Sequence, residues 1–106
     1  MAKAEINSGI CGFTTQVEAR TDEHNRRCVH LTIKSECKAV QKLAAQLTQV
    51  DPFKEFSFRG DPQILQLAPQ CLSHPACPVP VGIIKAVEVA ARLALPADVT
   101  IKLSKD

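Results

Sequence analysis

Residues 27–34 alternate apolar and polar side chains more cleanly than any other part of the chain. A period of two residues is that of a β-strand, and a polar second side is typical of an antiparallel strand with one face in water. The pattern therefore predicts a sheet that is covered on one face only. The apolar side carries Val29, Leu31 and Ile33, and the polar side carries Cys28, His30, Thr32 and Lys34.

The same criteria predict further strands over residues 3–8, 13–21 and 99–103. After residue 34 the apolar spacing becomes helical, which predicts helices from Ser35 to about residue 49, from Asp61 and Pro62 onwards, and over about 81–95. Ser35 and Asp61 are predicted N-caps, and Pro62 suits a first helical position. Residues 53–59 hold three of the four Phe residues, and either a short strand or an irregular anchor fits them.

The predicted order is β-β-β-α-α-α-β, and it favours an α+β fold of two layers. Each amphipathic element can then bury its apolar stripe by packing helices on one face of an antiparallel sheet. A chain of 106 residues has room for one hydrophobic core, so we expect a single domain over residues 1–106.

Composition excludes several classes of protein. Apolar residues make up 45% and charged residues 23%, which is ordinary for a globular chain. No run approaches the roughly 18 apolar residues of a membrane span, and residues 1–6 lack the apolar core of a signal peptide, so a cytoplasmic location is expected. A net charge of +2 and the absence of Tyr and Trp do not favour nucleic acid as a partner.

Five cysteines are many for so short a chain, and their odd number does not favour a disulfide framework. Because the predicted elements run back and forth, chain direction places four of the five at one end of the sheet. Thiolates are soft ligands, and four of them suit Zn²⁺ or an iron–sulfur cluster. The spacing of these cysteines matches no known motif, so the prediction rests on topology alone. The predicted ligands are Cys11, Cys37, Cys71 and Cys77.

The three histidines of the chain are further candidates for a role in a site. His74 precedes Cys77 by three residues, and it is either a further ligand or proton donor or a loop residue bonded to nearby backbone. Cys28 and His30 fall near the other end of the sheet, on its wet face, where His30 is expected to be a surface or interface residue. His24 lies in a predicted turn and is expected to be solvated.

The chain contains three sequence blocks of unusual composition, followed by an Ala-rich segment that ends at Leu95 and Pro96. The blocks are GICGF at residues 9–13, SEC at 35–37 and HPACPVP at 74–80. Together they resemble a family of small uncharacterised proteins from anaerobic bacteria and archaea. The resemblance implies that Cys11, Cys37 and Cys77 belong together with His74 nearby, and it brings no assigned activity. A site of three thiolates completed by His74 or Cys71 is therefore an alternative to a site of four cysteines.

These observations favour a protein that binds zinc or an iron–sulfur cluster in an anaerobic cytoplasm. Its expected role is electron transfer, metal handling or support of a redox-protein partner. One alternative is a thiol-dependent reductase or peroxidase with Cys37 or Cys77 as nucleophile. Another is an interaction module, homodimeric through helix 81–95, whose cysteines are inert buried residues.

Overall fold

A computed structural model describes all 106 residues and shows a mixed α+β fold, as expected. Its sheet has four antiparallel strands in the order β1-β2-β3-β4. The strands are β1 (Ala2–Asn7), β2 (Thr14–Thr21), β3 (Val29–Lys34) and β4 (Gln49–Val50). The helices are α1 (Lys38–Gln46), α2 (Pro52–Glu55), α3 (Gln63–Cys71) and α4 (Val79–Ala90), and 3₁₀ turns lie at Gly9–Cys11 and Phe58–Gly60.

The predicted wet face of the sheet is present. In β3, Val29 and Leu31 are buried while Thr32 and Lys34 are exposed, and β2 alternates in the same way. Helix α4 packs over β1 and β2, and α1 packs over β3. The helices and the covered face of the sheet share one cluster of fifteen buried apolar residues, whose largest fully buried side chains are Leu43, Leu47, Ile64 and Ile83.

The prediction of a final strand over residues 99–103 is wrong. That segment has no regular secondary structure and is exposed throughout. The fourth strand is instead β4, where Val50 pairs with Val29 and the Leu31 amide donates to the Thr48 carbonyl. Two residues are too few to show a periodicity, so no pattern in the sequence marks β4.

The helix boundaries also differ from those predicted. Asp61 does not cap α3, because its own backbone is left-handed (φ 63°) and Pro62 occupies the N-cap position. Ser35 does not cap α1 directly; its hydroxyl accepts from the Cys37 amide, one residue before the helix begins. Helix α4 spans Val79–Ala90 rather than 81–95. It begins earlier than predicted because a proline in the first turn lacks only an amide hydrogen that would have no partner in the helix. Residues 53–59 form most of α2 and part of the following 3₁₀ turn.

Candidate functional site

Three of the predicted metal ligands lie toward the same end of the sheet. Cys11 is exposed in the turn between β1 and β2, and Cys37 directly precedes α1, which follows the end of β3. Cys77 precedes α4, whose first turn packs against Ile6 near the end of β1. The topology thus places Cys11, Cys37 and Cys77 at one end, as chain direction predicts.

The other two predicted residues are placed differently. Cys71 ends α3, and its sulfur accepts a hydrogen bond of 3.4 Å from the Gln46 side chain. Gln46 is in the last turn of α1, whereas Cys37 precedes the first turn, so Cys71 lies at the opposite end of α1 from Cys37 and the prediction that places it with the other three cysteines is wrong. His74 is an exposed loop residue whose carbonyl accepts from the Cys77 amide at 3.3 Å.

A metal ion would need several donors around one point, and the structure does not show such a set. No group of three or more His, Cys, Asp or Glu side chains has the geometry to hold a metal ion. All five cysteines are free thiols, and Cys37, Cys71 and Cys77 pack partly buried against the core. The donors in their present positions therefore do not fit Zn²⁺ or an iron–sulfur cluster, and metal binding stays a prediction.

The structure instead brings a thiol, an imidazole and a carboxylate together on the wet face, near the opposite end of the sheet. Cys28 Sγ lies 3.8 Å from His30 Nε2, and His30 Nε2 lies 2.9 Å from Asp22 Oδ1. Cys28 Sγ also lies 3.6 Å from Gln49 Oε1, an amide oxygen to which the thiol can donate. We call Asp22, Cys28, His30 and Gln49 the Cys28 cluster.

Backbone pairing positions every member of the Cys28 cluster. Cys28 and His30 are two residues apart and so project from the same face, while Gln49 of β4 pairs directly with His30. The hairpin loop before β3 is closed by the Asp22 amide, which donates to the Cys28 carbonyl at 2.8 Å. Asp22 is fixed a second time, because its Oδ2 accepts from the His24 amide at 2.9 Å. The cluster is therefore positioned by backbone pairing and lies on the face of the sheet opposite the hydrophobic core.

The ionic character of the cluster comes from the Asp22–His30 pair. The hydrogen bond from His30, followed by that from the His24 amide, holds the pKa of Asp22 below its usual value. The side chains remain accessible, at 35% exposure for His30 and 32% for Asp22. Both the carboxylate and the thiol face the same ring nitrogen, and the carboxylate is closer. A proton on Nε2 is thus directed chiefly at Asp22, with the sulfur of Cys28 next to the ring.

Sequence reasoning placed Cys28 and His30 correctly on the wet face but did not connect them. The signal that could have found the cluster is the Cys-x-His spacing within a strand of period two, next to a turn that begins with Asp22. The sequence does not show which strand pairs with the other edge of β3. That strand is β4, and it brings Gln49 to the sulfur of Cys28.

The comparisons with known proteins give one match. A model described as a family of unknown function, DUF6951, matches residues 2–103. No curated protein and no solved structure matches the chain. The expected likeness to an uncharacterised family is confirmed, whereas its expected hosts, anaerobic bacteria and archaea, stay a prediction. Because the match covers nearly the whole sequence, the chain belongs to the DUF6951 family.

Proposed function

We propose that this protein is a thiol-dependent redox protein whose reactive group is Cys28. The observation that carries the proposal is the 3.8 Å approach of Cys28 Sγ to His30 Nε2, with His30 held by Asp22 at 2.9 Å. A nucleophilic thiol beside an imidazole that a third group orients is the general arrangement of activated cysteines. Cys28 thus replaces Cys37 and Cys77 as the proposed nucleophile.

The reaction we propose is thiol–disulfide exchange. Cys28 loses its proton to solvent, and its thiolate attacks one sulfur of a substrate disulfide. A new S–S bond joins Cys28 to that sulfur, the original S–S bond breaks, and the released thiolate takes a proton from solvent. The cluster contains a single sulfur, so a second thiol from solution would release the product and restore Cys28.

In this scheme Asp22 positions the His30 ring, and His30 acts on the charge of the sulfur rather than as a general base. Its Nε2 already faces the Asp22 carboxylate at hydrogen-bonding distance, so it is not free to accept the proton of Cys28. A protonated ring held there would place positive charge beside the sulfur and favour the thiolate over the thiol. Arg20 pairs directly with His30 across β2 and β3, and it adds a cation on the same face. A substrate disulfide that carries carboxylates suits the charge of Arg20.

The rate at which each thiol reacts tests the proposal. Alkylation by iodoacetamide, followed residue by residue with mass spectrometry, compares Cys28 with Cys11, which is the exposed reference thiol. We expect Cys28 to react first and His30→Gln to slow it roughly fivefold, the effect of losing one ion pair at an accessible site. His24→Gln is the matched control, because the hydrogen bond from His24 to the cluster comes from its backbone amide and remains in the variant.

Two further results bear on the proposal. Oxidised glutathione, used as the probe disulfide, should form a mixed disulfide at Cys28 in the wild type and should form it more slowly in His30→Gln. If Cys11 reacts faster than Cys28, or if His30→Gln leaves the rate at Cys28 unchanged, the proposal is wrong.

Metal or iron–sulfur binding is a second candidate, supported by the shared end of the sheet that holds Cys11, Cys37 and Cys77. It requires these residues to move together when the metal binds. Protein purified without oxygen would then carry stoichiometric zinc or iron, and Cys37→Ala would lower that content, whereas Cys28→Ala would not. A metal-free wild type under these conditions would exclude the candidate.

A further inference from the structure

The segment from Asp98 to Leu103 has the side-chain pattern of a strand but has no partner in the chain. Val99, Ile101 and Leu103 alternate with Thr100 and Lys102, and the three apolar side chains are 55%, 74% and 90% exposed. The last backbone hydrogen bond of the chain is that of the Leu93 amide. Exposed apolar side chains at every second position, on backbone with free amides and carbonyls, suit addition to the edge of a sheet.

The end of α4 directs this segment away from the molecule to which it belongs. The Leu93 amide donates to the Glu88 carbonyl at 2.8 Å and the Arg92 amide to Val89 at 3.1 Å. With Arg92 left-handed (φ 64°), these bonds form a Schellman motif, which fixes the direction in which the chain leaves the helix. The molecule is accordingly 50 Å long but only 27 and 25 Å across.

The sheet offers one long edge to an incoming strand. β1 pairs along its whole length with β2 and has no neighbour on its other side. The competing edge, that of β3, is partly occupied by β4. On the covered face β1 carries the small side chains of Ala2 and Ala4.

The side chains of the segment match that edge. In a parallel register that sets residue 99 beside residue 2, Val99 and Ile101 lie next to Ala2 and Ala4. The same register sets Lys102 beside Glu5 on the wet face, where opposite charges attract. Glu5 is exposed, and its carboxylate already accepts from Gln16 on β2, so it is held on that face.

We propose that residues 99–103 of one copy add as a fifth strand to the β1 edge of a second copy, and that the exchange is mutual. Exchange of an identical segment gives a closed twofold dimer and covers the open β1 edge of both copies. This dimer differs from the one predicted through helix 81–95. The buried side chains of α4, including Ile83, Ala86 and Val87, already pack in the core of their own chain.

Sedimentation of the full chain over a range of concentrations tests the proposal. We expect a dimer for the wild type, and at least a tenfold weaker dimer for Ile101→Lys. Because Ile101 is exposed and outside the hydrophobic core in the single copy, the variant should keep the fold, which circular dichroism verifies. Ile10→Lys is the matched control, since it adds a charge in place of another exposed isoleucine, one that lies outside the proposed interface.

Charge reversal identifies the receiving edge. Glu5→Lys and Lys102→Glu should each weaken the dimer roughly two- to fivefold, and the double variant should recover most of that loss. Three results would overturn the proposal: a wild type that stays monomeric at millimolar concentration, a dimer that Ile101→Lys leaves intact, or a monomer whose amides at 99–103 are protected from hydrogen exchange. The last result would mean that the segment folds back onto its own sheet.

Discussion

Gly82 of α4 lies directly against the side chain of Ile6 in β1, with no space between them for a further carbon atom. A Cβ atom built at position 82 would overlap Cδ1 and Cγ1 of Ile6. Ile6 is itself buried beneath the helix. The backbone of Gly82 has no left-handed φ, so the glycine serves close approach rather than a turn. This contact sets the distance between α4 and the sheet at the end where Cys77 precedes the helix.

Gly82→Ala should therefore destabilise the protein although alanine is the better helix former. The propensity gain is about 1 kcal/mol, and we expect the overlap with Ile6 to outweigh it, for a net loss of roughly 1–2 kcal/mol in the free energy of unfolding. Urea denaturation measures the change. In the Ile6→Ala background the same substitution should cost less, because the overlapping atoms are gone. A Gly82→Ala variant more stable than wild type would contradict this account of the contact.

Glu55 provides a second prediction, because its buried carboxylate caps α3 from another helix. The side chain accepts from the amides of Gln63 at 2.8 Å and Ile64 at 2.9 Å, and the residue is only 3% exposed. Pro62, at the N-cap, has no side-chain group to do this. Glu55→Gln should lower the free energy of unfolding by about 1–3 kcal/mol, because one amide then faces an NH₂ group.

Glu18→Gln is the control for Glu55→Gln, since Glu18 is exposed on the wet face of the sheet. It should change the urea midpoint little. If the two substitutions had equal effects, the capping role of Glu55 would be refuted.

The sequence predicted those parts of the fold that depend on periodicity. The alternation in residues 27–34 and the helical spacing after Ser35 reflect which side chains face the core, so β3 and α1 lie within the predicted ranges, although α1 ends at Gln46 and Gln49 belongs to β4. The segment 99–103 shows why such reasoning also fails. Alternation indicates that a segment can form a strand, but pairing depends on where α4 releases the chain, and the backbone of Arg92 determines that.

The candidate site was predicted less well for a related reason. Chain direction gives the end of the sheet at which Cys11, Cys37 and Cys77 lie, but a metal site depends on distances of a few ångströms. The contact between Cys28 and His30 is local to one strand and was therefore within reach of the sequence. The contact of Cys28 with Gln49 was not within reach of the sequence. Gln49 pairs with His30 across eighteen intervening positions, and no sequence pattern links these two residues.

Arg92 gives a third prediction, because its left-handed backbone is unfavourable for any residue with a Cβ atom. Arg92→Gly should raise the free energy of unfolding by up to about 1 kcal/mol, the steric relief being partly offset by greater freedom in the unfolded chain. Arg92→Val should lower it, since β-branched residues tolerate this conformation least. Both measurements belong in the Ile101→Lys background, so that dimer formation does not contribute. Equal stabilities of the two variants would show that the conformation of residue 92 is not fixed.

The last prediction concerns pH and follows from the lowered pKa of Asp22. In the unfolded chain this carboxyl has a pKa of about 3.9, whereas in the folded protein it holds its negative charge to lower pH. The unfolded state therefore binds the proton more readily, and the contribution of Asp22 to stability is complete above about pH 5 and is lost as the pH falls through the folded pKa. Asp22→Asn should remove this contribution.

Urea denaturation of the wild type and Asp22→Asn at a series of pH values tests that sign. The wild type should be the more stable at pH 6. The difference should shrink as the pH falls below about 5, because the carboxyl is protonated first in the unfolded chain and only at lower pH in the folded protein. Asp98→Asn, in the exposed segment after α4, should follow the wild type throughout. A gap between wild type and Asp22→Asn that is as large at pH 3 as at pH 6 would mean that the His30 contact does not stabilise the charged carboxylate. In that case Asp22 would not hold His30 beside Cys28 through its charge, and the proposed positioning of the imidazole would lose its basis.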